Sequence, residues 1–499
     1  MKNLITKTNN IFNNLFKSFL KINITSIFFL LAILVFLTQF YSINQEVIDW
    51  DETDFILMGN SFYKGNLPYL ELWDLKPPIH FILIGLVFKI FGPSLLVARL
   101  LGDFLIFLSA VLIFFLSRNI LNKFESLLSS IVYIFLVSFN FSQPTMTEYT
   151  STFFILLSIY FLYKKNEKGS LYAGIFISLS ILTRTNVAFV LMFLTFYFYK
   201  KKDLKKNIKQ FILGSSLPLI FLILLYGFNS SLKVFFYSVF LIPLGNTIIR
   251  EDFLNFLNES FQGIFFDSLF SIQLWFLIFL LFVVLILFKK RSSLNKTFTE
   301  INSYQLEILL VVFVSLILSI LVGGRFFYHY LIQLFPFLSI FILFFIKHFI
   351  KYNSITYMGL LGILIFNLLP IGVNSINNIF NYKEISNNYK IESFINYIEP
   401  EKELLALDNH LIYFYLDTNP LTPIVHPNTI AKKDEFKILL DDLVELGYIV
   451  ENQFQQILKN NPDYIFCEFE CDKYLPKNYL DDYLIIKNIE DLRLYRYKN

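Results

Sequence analysis

The chain has 499 residues, 56% of them hydrophobic and only 16% charged, with a mean hydropathy of +0.57. Soluble proteins carry about 25% charged residues, so the composition excludes a soluble enzyme, a nucleic-acid binder, a disordered chain and a small disulfide scaffold. The net charge of +3 conceals a split: residues 374–499 hold 13 basic and 21 acidic side chains (−8), and residues 1–373 hold 29 basic and 18 acidic ones (+11). The sequence therefore predicts a membrane body, 1–373, followed by a soluble domain, 374–499. Cys467 and Cys471 are the only cysteines and both lie in the second part. Two thiols cannot make a metal cluster, and a pair of free thiols and a local disulfide both stay open.

A helix needs about 20 residues to cross the hydrocarbon of a bilayer. Uncharged stretches of that length lie at 24–45, 126–147, 210–232, 268–288 and 352–382. Shorter ones at 104–117, 149–163, 169–183, 185–199, 308–324 and 331–346 become spans when a boundary charge snorkels outward. The expectation is a polytopic α-helical membrane protein with about 11 transmembrane helices.

Orientation follows from lysines and arginines in short loops. Lys2, Lys7, Lys17 and Lys21 precede the first stretch, and basic clusters recur at 164–168, 200–209, 289–291 and 347–351. One topology keeps them all cytoplasmic: N-terminus inside, C-terminal domain extracytoplasmic, in the inner or plasma membrane. The first span lacks a small-residue cleavage site and reads as an anchor. The first external loop, 44–95, is acidic and aromatic, with seven acids and two lysines between 46 and 76. Its apolar end, Ile79–Phe91, is short for a span and reads as a helix near the membrane surface.

The C-terminal part reads as α/β. Leu404–Leu407, Leu411–Leu416 and Tyr464–Phe466 are expected strands. Phe436–Leu446 and Phe454–Lys459 are expected helices, and Tyr483–Tyr497 a closing hairpin.

Several clusters could carry chemistry. Asp49-Trp50-Asp51-Glu52-Thr53-Asp54 is either a solvated acidic loop or a source of a general base, since adjacent like charges raise basicity. Trp73-Asp74-Leu75-Lys76-Pro77-Pro78 places a lysine before two backbone-fixing prolines. It is a helix start with a snorkelling lysine, or a rigid cationic post. Arg99 and Asp103, four apart, share a helical face and can pair; the arginine could also hold a lipid phosphate. Glu148, in Gln143–Tyr149, could contact sugar hydroxyls or cap a helix. Arg184 at an outer turn runs against the positive-inside trend, which an anionic ligand would explain. Gly323–Tyr330 sets Arg325 and His329 on the outer rim as interfacial anchors or as a phosphate clamp.

These residues carry a resemblance. Asp51-Glu52, Gly65-Asn66-Leu67-Pro68-Tyr69, Trp73–Pro78, Phe91-Gly92 and Ala98-Arg99-Leu100 together resemble the first-loop signature of GT-C glycosyltransferase family 39. That family includes protein O-mannosyltransferases and lipid A aminoarabinose transferases. Gly323–Tyr330 with Pro336 is similar to its later Arg-Tyr segment. The resemblance implies a GT-C fold and transfer of a sugar from a polyprenyl-phosphate-linked donor to a lipid, glycan or protein acceptor on the extracytoplasmic face, with inversion. It implies Asp51 as catalytic base with Glu52 beside it. Lys76 and Arg99 would contact the donor phosphate, with Arg325 and His329 as further candidates. Glu148, Arg184 and Tyr69 are candidates for sugar or acceptor contacts. Some relatives carry a metal-binding acid just before the lysine; Leu75 stands there, so a divalent metal stays open and no metal ligand is assigned. No loop is long enough for the lectin-like domain of the protein-mannosylating branch.

A flippase or transporter, or a polysaccharide polymerase, would share the hydropathy. Transporters place ionisable residues at the bilayer midplane on broken helices, whereas here they gather at span ends on one face. The first-loop signature argues against a polymerase.

Overall fold

A computed structural model describes residues 23–40, 42, 45–138, 144–201, 205–243, 303–323, 328–349, 354–381, 389–426, 429, 437–468 and 471–498. The expected span at 268–288, Gln143 and Arg325 lie outside the described residues.

The body is helical. It runs through α1 (Ile24–Gln39), α2 (Trp50–Lys64), α3 (Ile79–Phe91), α4 (Leu95–Ser117), α5 (Lys123–Leu136), α6 (Thr147–Leu162), α7 (Glu167–Ile181), α8 (Ala188–Lys200), α9 (Lys205–Phe228) and the short α10 (Leu232–Phe236). α11 (Ser303–Gly323), α12 (Phe335–Phe349) and α13 (Ser354–Phe380) follow. Among the described residues, Leu95–Ser117, Lys205–Phe228 and Tyr304–Val322 are long and apolar enough to cross a membrane. Shorter apolar helices include Ile24–Gln39, Ile79–Phe91 and Phe335–His348.

The acidic stretch after α1 is a helix, not a loop. The Asp49 side chain accepts from Asp51 N at 3.0 Å and caps α2, Asp51 and Glu52 occupy its first turn, and Lys64 its last. Acids at the N-terminus and a base at the C-terminus complement the helix dipole. Gly65 ends the helix at φ 109°, a left-handed conformation that glycine adopts freely. The stretch 126–147 is divided: α5 begins at an Asn122/Glu125 capping box and ends at Leu136, and α6 begins at Thr147.

α2 and α3 form a close hairpin. A Cβ on Gly85 would sit 2.7 Å from Gly59 O, and one on Gly59 would sit 2.3 Å from Ile84 Cγ2. Small residues let the helix backbones approach, as in membrane helix pairs. The hairpin matters because its two ends carry the acidic cluster and the Lys-Pro-Pro segment.

The C-terminal part folds on a four-stranded sheet, β1 (Leu404–Ala406), β2 (Tyr464–Cys467), β3 (Tyr483–Ile489) and β4 (Leu492–Tyr497), in the order β1-β2-β4-β3. β1 and β2 are parallel and the other pairs antiparallel. Side chains alternate between faces along a strand. Leu404, Ala406, Tyr464, Phe466 and Leu494 join the hydrophobic core shared with the membrane body. Leu405, Ile465, Cys467 and Tyr495 pack on the other face with α16 (Gln453–Lys459). α15 (Lys437–Glu445) matches the expected helix. Leu411–Leu416, expected as a strand, is a helix, α14. A six-residue apolar run has no period that separates the two; His410 decides by fixing the turn, its ring within hydrogen-bond distance of Val425 O and Ala406 O. Cys467 and Cys471 are joined in a disulfide.

The sheet domain is docked onto the segment between α1 and α3. The Glu46 carboxylate accepts from Ile391 N (2.8 Å) and Glu392 N (2.9 Å). Asn419 Nδ2 donates to Glu71 Oε1 at 2.6 Å, and Lys64 Nζ lies 2.7 Å from Asp417 Oδ1. Trp73 N donates to Pro423 O at 2.7 Å and Val425 N to Trp73 O at 3.1 Å, which pairs Trp73 with Ile424 as a parallel bridge.

The hairpin contact predicts a stability effect. Gly85→Val should destabilise the protein by about 1–3 kcal/mol through overpacking. The same change at Gly362, where a Cβ meets nothing within 4 Å, should leave it unaltered. Thermal unfolding of both variants in one detergent checks this.

Candidate active site

Four ionisable groups lie at the start of α2 and divide into two environments. Glu52 points inward and Asp51 outward, because successive helical positions are about 100° apart. Glu52 is 1% exposed and meets the Arg99 guanidinium, itself 2% exposed. Arg99 Nε donates to Glu52 Oε1 at 2.9 Å and Nη2 to Oε2 at 2.7 Å. Nη1 donates to Ser42 O and Gln45 O at 3.0 and 2.7 Å, and Nη2 also to Glu46 O at 3.3 Å. Guanidinium has five N–H donors, and each has an acceptor here. The expected Arg99–Asp103 pair is not formed in this arrangement: Arg99 turns to Glu52, and Asp103 Oδ1 is buried with no hydrogen-bond partner. With every donor engaged, Arg99 has none left for a donor phosphate.

Asp51 faces Lys76. Lys76 Nζ is 3.4 Å from Asp51 Oδ2, and both side chains keep partial exposure, 23% and 17%. The lysine is held on both sides. Asp74 Oδ1 accepts from Lys76 N at 2.6 Å, the Tyr69 hydroxyl donates to Lys76 O at 2.5 Å, and Nζ lies 5.4 Å from the centre of the Phe55 ring. Burial pushes the Lys76 ammonium down, but Asp51 and Asp74 outweigh it and hold the lysine charged. Burial likewise pushes Asp51 up, while Lys76, His329, His426 and Arg184 pull it further down, so its carboxyl ends below the usual range.

Asp54, one turn on, is not the solvated residue its sequence setting suggested. It is fully buried, and neither carboxylate oxygen has a hydrogen-bond partner. Burial, then Asp74 and Asp51, raise its carboxyl well above the ordinary value.

A second buried cluster stands beside Asp51. Glu148, fully buried in the first turn of α6, lies 2.5 Å from Arg184 Nη1 and 3.6 Å from His329 Nε2. Arg184 also donates to Thr147 Oγ1 at 2.9 Å and stacks 4.6 Å from the Tyr330 ring centre. The arginine at an outer turn thus has its anion within the chain, in Glu148. His329 keeps 17% exposure. Burial and Arg184 depress its basicity, against Glu148, which raises it. Tyr69 is fully buried against Tyr226, with its hydroxyl on the Lys76 carbonyl, so it braces the lysine rather than facing a sugar.

Comparison with known proteins adds what the chain is similar to. Residues 75–226 match the family described as dolichyl-phosphate-mannose-protein mannosyltransferase. An uncharacterised protein of Aquifex aeolicus (strain VF5) is 26% identical over 373 residues, 72% of this chain and 77% of that protein. The crystal structure of ArnT from Cupriavidus metallidurans bound to undecaprenyl phosphate superposes with a TM-score of 0.59 at 13% identity, covering 94% of this chain and 97% of that one. The apo form of the same protein gives 0.56 at 12% identity with the same coverage. The chain has the GT-C fold of ArnT, and its residues 75–226 are similar to those of a mannosyltransferase family. The fold class read from the sequence, a GT-C helical membrane body with a small C-terminal sheet domain, is the one found.

Some of this glycosyltransferase's site residues were not legible in the sequence. His80, fully buried, lies 2.7 Å through Nε2 from Thr145 O and 2.9 Å through Nδ1 from Thr150 Oγ1. A carbonyl can only accept, so Nε2 carries the proton and Nδ1 accepts from the threonine. Burial pushes this histidine down to about 4, which keeps it neutral. Thr145 Oγ1 in turn donates to Glu52 Oε1 at 3.2 Å. A lone histidine in an apolar helix carries no signal of such a network. His426 comes from the C-terminal domain and lies two residues past the Trp73–Ile424 bridge.

The Arg99 clamp predicts a structural phenotype. Removing one partner of a buried ion pair costs about 3–5 kcal/mol because the other charge stays uncompensated. Arg99→Ala and Glu52→Gln should each destabilise the protein by that order. The double variant Arg99→Met/Glu52→Leu should recover much of the loss. Chemical unfolding of the three variants measures it; a stable Arg99→Ala protein that only binds donor poorly would return the arginine to the phosphate.

Proposed function

We propose that this glycosyltransferase moves a sugar from a polyprenyl-phosphate-linked donor to a hydroxyl-bearing acceptor on the extracytoplasmic face, with Asp51 as base and Lys76 as the cation on the leaving phosphate. One observation carries the reading. Asp51 and Lys76 stand side by side with partial exposure, whereas Glu52, Arg99, Glu148 and Arg184 beside them are committed to buried ion pairs. Undecaprenyl phosphate in the similar ArnT structure, and the dolichyl-phosphate-mannose in the matched family's description, support the donor class.

The chemistry follows from charge. The acceptor oxygen attacks the anomeric carbon as the bond from that carbon to the phosphate oxygen breaks. The phosphate leaves with the bonding pair and needs no proton, only a cation where negative charge grows. Lys76 supplies that cation as a point charge. The acceptor proton passes to Asp51. Attack opposite the leaving group inverts the anomeric centre. An incoming phosphate competes for Lys76 and turns Asp51 toward the acceptor, so the ion pair of the free enzyme is a resting arrangement. His329, partly exposed beside Asp51, is a candidate for a further phosphate contact, and Arg325 for another. Glu52 and Arg99 hold α2 in place rather than act on substrate.

The orientation places the N-terminus in the cytoplasm and the C-terminal domain, 374–499, outside. It is supported by the basic clusters between spans and by the Cys467–Cys471 disulfide, a bond suited to an oxidising compartment.

Removing a general base costs about 10²–10⁴ in rate. Asp51→Asn should lower turnover by that factor on a hydroxyl acceptor while donor affinity persists. Lys76→Ala should weaken donor binding, and Lys76→Arg should do so less. Transfer and donor affinity measured side by side decide it: an Asp51→Asn enzyme with normal turnover removes the mechanism. Cysteines placed at Lys205 and Lys498 should be shielded and labelled, respectively, by an impermeant thiol reagent on intact cells; the reverse pattern overturns the orientation.

A further inference from the structure

The end of the membrane body opposite the site carries a second charged surface. Residues 164–168 and 200–209 hold nine lysines against two acids, Glu167 and Asp203. α6 carries Glu148 in its first turn and ends at Leu162, and α8 ends at Lys200. At a helical rise of about 1.5 Å per residue, the first lysines stand about 20 Å along α6 from Glu148. The start of α11 gathers both segments. The Tyr304 hydroxyl donates to Leu162 O at 3.0 Å and the Tyr163 hydroxyl to Gln305 O at 3.1 Å. Glu307 lies 2.7 Å from Lys201 Nζ and accepts from the Tyr197 hydroxyl at 2.6 Å. One turn of α11 thus ties the end of α6 to the end of α8.

Among the described residues the lysines of these segments are exposed, and Lys201 is the only one of them in an ion pair. Four others stand over aromatic rings. Lys164 Nζ lies 4.7 Å from the centre of the Phe161 ring, Lys165 4.4 Å from that of Tyr304, Lys200 5.3 Å from that of Phe196 and Lys205 4.9 Å from that of Tyr199. Phe196 and Tyr199 are themselves 59% and 58% exposed. Aromatic rings at the ends of apolar helices mark the level where hydrocarbon gives way to headgroups, and lysines that snorkel place their charge there.

Two features select the partner. Exposed ammonium groups with no carboxylate beside them attract phosphate, and the exposed rings below them are covered by acyl chains. An anionic phospholipid offers both in one molecule. A soluble acidic protein would meet the charges and leave the rings bare. We propose that this surface, built by the ends of α6 and α8 and the starts of α7 and α9 around α11, holds anionic phospholipid headgroups of the leaflet opposite the active site. Juxtamembrane lysine clusters draw acidic lipids in this way, and a point charge on a flexible stem grips a phosphodiester without the fixed fork of arginine. Lipid held here takes no part in sugar transfer, because Asp51 and Lys76 stand beside Glu148 at the other end of the body.

The full-length protein in neutral detergent is titrated with phosphatidylglycerol or with phosphatidylcholine of the same chains. Bound lipid is counted by native mass spectrometry, and thermal unfolding is followed in parallel. Phosphatidylglycerol should be retained about tenfold better and should raise Tm, because it binds the folded state. The preference should fall as salt rises. The variant Lys164→Gln/Lys165→Gln/Lys200→Gln/Lys205→Gln should bind the two lipids equally and keep the wild-type Tm in phosphatidylcholine. The same four positions changed to Arg should keep the preference, and so should Lys76→Ala, in the active site. Equal retention of the two lipids by the wild type, a preference that salt does not weaken, or one that survives in the folded glutamine variant overturns the proposal. Loss of the preference in Lys76→Ala also overturns it, by assigning the lipid to the donor site. Tight binding of soluble poly-glutamate without a lipid preference overturns it in favour of a soluble acidic partner. If the glutamine variant unfolds, the salt series and Lys76→Ala decide.

Discussion

The Arg99–Glu52 ion pair is the constraint on which the site depends. It joins the N-terminal part of a long apolar helix, α4, to the first turn of α2 and, through three backbone carbonyls, to the chain between α1 and α2. A buried guanidinium is costly unless its N–H groups are accepted, and accepting all five of Arg99's fixes the orientation of α2 about its own axis. Once Glu52 is turned inward, Asp51, about 100° round the helix, comes to face Lys76. The geometry of the exposed pair is thus a consequence of the buried one.

The same economy recurs nearby. Glu148 and Arg184 neutralise each other in the interior and leave His329 at the edge with part of its ring exposed. Thr145, between Glu52 and His80, ties the Arg99 cluster to α3 and to the start of α6. Neutral His80 fits because burial disfavours its charge and a third cation there would face Arg184 and Lys76 without solvent to screen it. The result is a site in which Glu52 with Arg99 and Glu148 with Arg184 are paired in the interior and the candidate reacting groups stand at its margin.

The C-terminal domain is more than a cap on this arrangement. One face of its sheet is continuous with the core of the membrane body, and its contacts include residues 46, 64, 71 and 73 of the segment between α1 and α3. Those residues flank the acidic cluster on one side and Lys76 on the other. Holding the segment at both ends limits how far Asp51 and Lys76 can separate, which a loop of this length would otherwise permit.

What the sequence determined by itself is what depends on composition and local pattern. Hydropathy and the uneven charge separated a membrane body from a sheet domain, and the spacing of Asp51-Glu52, Lys-Pro-Pro and Ala-Arg-Leu carried the resemblance to GT-C glycosyltransferases, whose fold the chain has. Even α2 was written locally, in the Asp49 cap, the acidic first turn and Gly65, although its charges disguised it as a loop. The tertiary structure decided which charge meets which. Asp51 and Glu52 are adjacent in sequence and equal in chemistry, and only the helix rotation that buries Arg99 sends them to different partners. Arg99 has Asp103 four residues away, yet takes Glu52 from 47 residues away, because the carboxylate and three carbonyls together satisfy all five donors. Asp54 gives no sign in sequence of being buried, and His426 lies 375 residues from Asp51; a parallel bridge of one residue pair brings them together. Long-range partners are set by packing and by the cost of leaving buried polar groups unmatched, and neither has a period in the chain.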